Sequence, residues 1–82
     1  MIWLDEWQAY VRPSAVTAIE CVADRFDNNN VSVRITVHGG TYMHGAPLFR
    51  AKYDDDGMLT SEAMDDARAL AADVVRRLGL GA

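Results

Sequence analysis

One cysteine, one lysine and two prolines are all that the 82 residues hold of these types, and each scarcity excludes something. Cys21 has no internal disulfide partner, whereas small secreted domains usually carry several such bonds. Lys52 stands alone and the arginines are dispersed, so no basic cluster exists of the kind that displaces counterions from a nucleic acid. No apolar run approaches the roughly 18 residues of a membrane span. The opening MIWLDEWQAY has no basic start and meets two acidic residues by Glu6, which does not read as a signal peptide. A reducing, cytoplasmic setting without a membrane is expected.

Signatures of chemistry are equally sparse. Neither GxxxxGK[ST] nor GxGxxG occurs, because the glycines are wrongly spaced. Ser14 and Ser61 lie outside any GxSxG elbow, and no flanking base activates Cys21. What the chain does have is half apolar residues and a mild net charge of −4, from 12 acidic and 8 basic side chains. That content suffices for one core, and a single domain spanning residues 1–82 is expected. The acidity serves solubility, since mimicry of a nucleic acid demands denser carboxylates.

Periodicity divides the chain into strands and loops over residues 1–59 and a helix over 60–79. Ile2 to Val11 reads as a strand with Trp3, Trp7, Ala9 and Val11 on one face and Leu4 and Tyr10 on the other; Pro13 ends it. SAVTAIECVADRF fits either a helical stripe (Ala15, Ile19, Val22, Phe26) or a strand, and its β-branched density selects the strand. Asp27-Asn28-Asn29-Asn30 is a turn. VSVRITV then alternates cleanly, with Val31, Val33, Ile35 and Val37 inward. Gly45-Ala46-Pro47 marks a bend at a sheet edge.

After the loop DDDGMLTS the period becomes 3.6. Ala63, Ala67, Leu70, Ala71, Val74, Val75 and Leu78 form one stripe between Ser61 and Leu78. Thr60 or Ser61 supplies the cap, Glu62, Asp65 and Asp66 match the positive end of the dipole, Asp73 pairs with Arg77, and Gly79 is the stop. The expected class is α+β: an antiparallel sheet of about four strands covered by one C-terminal helix.

TVHGGTYMHGAP holds both histidines. With Gly39-Gly40 as a two-residue hairpin loop, His44 falls on the apolar face with Ile35 and Tyr42, and His38 on the wet face. One more loop residue brings both imidazoles to the wet face as diagonal neighbours. In neither register does a third ligand lie within the stretch, and zinc needs at least three. KYDDDGMLTSEA fails as a calcium loop: with Gly57 sixth, Lys52 is first and Ala63 twelfth, where carboxylates are required. No metal or other cofactor is expected.

The order WQAYVRPSAVTAIE followed by VSVRITVHGGTYMH resembles FlbD-like flagellar-regulator domains and small actinobacteriophage proteins. Tyr10, Val11, Pro13, Val16, Ile19 and Glu20, then Val33, Ile35, Val37 and Gly40, carry the likeness over residues 7–44. The long Asp27–Asn30 turn and the insertion between Ala46 and Leu59 depart from that pattern. The resemblance brings no catalytic residues and implies a small accessory protein, phage-encoded or bacterial, that acts by contact.

Three functions compete. A metal-dependent hydrolase would use His38, His44 and Asp54–Asp56. A nucleic-acid module would use Arg12, Arg25, Arg34 and Arg50 with Tyr10 and Tyr42. The expectation favoured here is a non-enzymatic protein that binds a host factor or a copy of itself, anchored by Trp3, Trp7 and Tyr10, with Glu62, Asp65 and Asp66 steering a basic partner.

Overall fold

The computed structural model describes residues 1–24, 26 and 28–80. It is α+β, with five short antiparallel strands in two sheets packed against a C-terminal helix. β1 (Ile2–Leu4) and β2 (Ala9–Val11) form a small hairpin. β3 (Val16–Asp24), β4 (Asn30–Val37) and β5 (Leu48–Phe49) form the main sheet in that order, which leaves β3 and β5 as its edges. The helix α1 covers Glu62–Arg77.

The period-2 pattern of β4 determines which face is buried. Val31, Val33 and Ile35 are buried and stand opposite Ala23, Cys21 and Ile19 of β3. Serine, arginine and threonine at 32, 34 and 36 take the open face, opposite Val22, Glu20 and Ala18. Thr17 is the extra residue of a bulge between Val16 and Ala18. Its hydroxyl donates to the Thr36 carbonyl at 3.2 Å, and Val16 returns to the apolar face opposite Val37.

The helix lies on the apolar face. Ala63, Ala67, Val74 and Leu78 are buried there, with Leu70 and Ala71 half-buried beside them. Small side chains at 63 and 67 let the first two turns approach the strands closely. Ser61 occupies the cap position, but its hydroxyl donates to Asp65 at 3.0 Å. The Glu62 amide is met instead by the Thr60 hydroxyl at 3.4 Å. At the other end Gly79 takes a φ of 69°. Its amide bonds to the Arg76 carbonyl and that of Leu80 to Val75, a Schellman closure.

Two sequence expectations fail locally. Ile2–Val11 is not one strand: a 3-10 turn at Asp5–Trp7 reverses the chain, with Gln8 in the left-handed region at φ 52°. Tyr10 therefore falls opposite Trp3, not on the face of Leu4. The glycine turn also differs from both anticipated registers. Val37 donates to the Thr41 carbonyl and Thr36 pairs with Tyr42, so His38, Gly39 and Gly40 form a three-residue loop. Of the Asp27–Asn30 turn, Asn28 and Asn29 adopt positive φ as their side chains allow, while Asp27 lies outside the described residues.

Candidate interaction surface

The β1–β2 hairpin presents an exposed pair of aromatic rings. Trp3 and Tyr10 are cross-strand neighbours whose rings meet edge to face, 4.9 Å apart at 61°. They remain 43% and 67% exposed, so the contact organises the rings without hiding them. The indole N–H of Trp3 donates to Asp5 Oδ1 at 3.4 Å. Gln8 Nε2 donates to the same oxygen at 2.9 Å and to the Asp5 carbonyl at 2.6 Å. These contacts and the ring of Tyr10 give the exposed indole polar and aromatic neighbours within the hairpin.

Trp7 does not share that surface. It is 4% exposed and packs in the core with Leu4 and Val11. The 3-10 turn explains the correction: a helical step between positions 3 and 7 breaks the period-2 alternation that would keep both rings on one face. The Trp7 indole N–H is buried and has no hydrogen-bond partner.

Glu62, Asp65 and Asp66 are exposed, but they stand at the end of α1 away from the hairpin. The hairpin is tied to the other end of α1 by a bidentate pair, Arg77 to Glu6 at 3.0 and 3.2 Å. At 1.5 Å per residue, Glu62 lies roughly 22 Å along the helix from Arg77. The acidic cluster and the aromatic pair are therefore two surfaces. Glu62 lies 3.7 Å from Lys52, and Asp65 takes the Ser61 hydroxyl and faces Arg68 at 4.0 Å.

The guanidinium of Arg77, hydrogen-bonded to Glu6, holds that carboxyl below its usual range, and Glu6 in turn raises Arg77. Arg77 Nε also lies 2.9 Å from Asp73 Oδ2, an ion-pair distance outside hydrogen-bond geometry. Burial pushes the Cys21 thiol up, which reduces its thiolate at neutral pH.

The remaining candidates are dispersed. His38 is exposed, with Nε2 3.1 Å from the Ser14 carbonyl, and His44 is exposed in a bend before β5. Among the described residues no three His, Cys, Asp or Glu side chains gather closely enough to hold a metal ion. Asp54 organises its own turn by accepting the amides of Asp56 and Met58 at 3.0 and 2.9 Å. Of the arginines weighed for nucleic acid, Arg34 stacks on Tyr42 at 4.1 Å on the open sheet face, Arg12 and Arg50 are exposed, and Arg25 lies outside the described residues. No helix among the described residues is long and apolar enough to cross a membrane.

Two features escaped the reading of the chain. Phe26 is fully exposed in the turn that follows β3, although its apolar character suggested burial. β3 is a nine-residue sheet edge, and strand order has no signature in a single strand's composition. Comparison of the chain with family models, curated proteins and solved structures found no match.

Proposed function

We propose that this protein is a non-enzymatic accessory module that works by binding another protein through the Trp3–Tyr10 face of its N-terminal hairpin. The observation that carries the reading is the exposed aromatic pair, its rings in edge-to-face contact and the indole N–H bonded to Asp5. Tryptophan and tyrosine are enriched among the residues that dominate interface energetics, and a ring with intramolecular contacts has less freedom to lose on docking. Their polar rim, Asp5 and Gln8, suits the edge of such a contact. An accessory role of the kind the FlbD-like strand pattern implies, including a phage product directed at a host factor, fits a chain with this little interior.

The competing readings draw less support. Arg34 on Tyr42 is one local feature of a nucleic-acid surface, yet Arg34 faces Glu20 across the strand pair and the single lysine sits beside Glu62. A hydrolase reading would need His38 freed from Ser14 and brought to His44 and the Asp54 turn.

The test is capture from a lysate of the source cells by wild type and by Trp3→Ala/Tyr10→Ala. Both side chains are substantially exposed, so the variant should keep its helical signal and lose the captured protein. Equal capture by the two would remove the hairpin from the interface.

A further inference from the structure

The outward face of the β1–β2 hairpin carries opposite charges at its two ends. Leu4 and Val11 are buried, so period-2 alternation turns Trp3 and Tyr10 outward at the middle of the strand pair. Asp5 joins that face at the turn end, where its Oδ1 accepts the Trp3 indole N–H. Arg12 follows Val11 in an extended conformation, φ −87° and ψ 115°, and stands on the Tyr10 side of the same face at the open end. Both charged side chains are exposed. Neither has an ion-pair partner among the described residues, whereas the neighbouring carboxylate of Glu6 is taken by Arg77.

We propose that this face is self-complementary, and that two copies of the chain pair weakly through it. Asp5 of each copy meets Arg12 of the other, and the two Trp3–Tyr10 pairs meet at the centre. The inference rests on the reading of the hairpin as the contact face and adds its regulation. A second copy and a foreign partner need the same rings, so each excludes the other.

Charge names the occupant and its orientation. A two-fold interface sets one patch against itself, so that residue i meets j and j meets i. The hairpin faces can be brought together by an axis along the strands or by one across them. An axis along the strands puts Asp5 on Asp5 and Arg12 on Arg12, and like charges directly opposite are unfavourable. An axis across the strands puts Asp5 over Arg12 at both ends and keeps the aromatic pair over its own copy. Only the second arrangement is attractive, and symmetry uses its charge pair twice.

Area sets the strength. Trp3, Asp5, Gln8, Tyr10 and Arg12 supply the contact, far fewer than the roughly 20–30 residues a side of a standard interface. The pairing therefore belongs to the transient class, with a dissociation constant on the order of 0.1–1 mM. In dilute solution the rings are free.

Sedimentation equilibrium at low salt, from micromolar to millimolar chain, tests the proposal. Wild type should rise from 9.1 kDa towards twice that mass. Arg12→Asp and Asp5→Arg each turn two attractions into two repulsions and should weaken the dimer roughly tenfold. The double reversal Asp5→Arg/Arg12→Asp should recover most of the wild-type association. Damage to the turn by Asp5→Arg would not be repaired by a change at the opposite end of the hairpin, so recovery reports on the pairing itself. Trp3→Ala/Tyr10→Ala should abolish association. A strict monomer at millimolar concentration, a dimer indifferent to Arg12→Asp, or no recovery in the double reversal would overturn the proposal. If a strictly monomeric wild type captures a lysate protein that Trp3→Ala/Tyr10→Ala loses, self-pairing falls alone and the contact reading stands. A strict monomer with equal capture by the two would remove both.

Discussion

Trp3 and Trp7 carry the same side chain four residues apart, yet one is a surface group and the other a core group. Nothing in the residue type distinguishes them; the turn between them does. Trp7 pays for its burial with an indole N–H that has no partner, a penalty of about 1–3 kcal/mol. Trp7→Phe removes that donor and keeps most of the apolar bulk, so it should cost less than about 1.5 kcal/mol. Trp7→Ala, which leaves a cavity, should cost about 3–5 kcal/mol. Urea denaturation of the two variants checks the contrast.

Glu6 gives a prediction in pH. Its folded-state pKa lies below the ordinary 4.5, chiefly through the hydrogen bond from Arg77. The stabilisation is therefore present above 4.5 and is lost as pH falls through the lower folded value. The carboxylate is a third exposed, so solvent screens the pair and its contribution at neutral pH should be below about 1 kcal/mol. Glu6→Gln should be less stable than wild type at neutral pH and converge with it in acid, as followed by thermal melts across that window.

At the scale of elements, legibility followed periodicity. VSVRITV alternates over a full strand and the stripe from Ala63 to Leu78 runs for four turns, and both formed as read. Gly79 was legible as the helix stop because a left-handed residue there has a known role. Gly79→Ala has open space for its methyl group but must hold φ near 69°, and should lower stability by about 1 kcal/mol. The same substitution should loosen Leu80 from Val75, an effect visible as faster amide exchange in the last helical turn.

The hairpin of β1 and β2 was illegible for a physical reason. Its reversal uses Gln8 in a left-handed conformation, stabilised by contacts to Asp5, where glycine or asparagine would have announced a turn. β5 is two residues long, too short for any period. The loop has three residues, the longer of the two lengths the glycines allowed, but it begins at His38 and not at Gly39. Against the two-residue loop, that change of register moves every later side chain to the opposite face. That is why Tyr42 sits against Arg34 and not with Ile35.

The whole molecule is extended. Its radius of gyration is 13.8 Å, with extents of 45 × 24 × 20 Å, where a compact domain of this length would be near 12 Å. Ten large apolar side chains stand exposed among the described residues, Trp3 and Tyr10 of the hairpin among them. A thin core beside much apolar surface is the whole-molecule feature on which the proposed contact role rests, since a partner that binds only the folded state would add to its stability.

The central claim concerns Trp3, and its own fluorescence reports on it most directly. In Trp7→Phe, Trp3 is the single emitter; the free protein should show a red-shifted spectrum quenched efficiently by iodide. On saturation with the protein captured from lysate, the account predicts a blue shift and loss of iodide quenching as the ring is buried. A saturated complex in which both the spectrum and the quenching of Trp3 stay as in the free protein would contradict it.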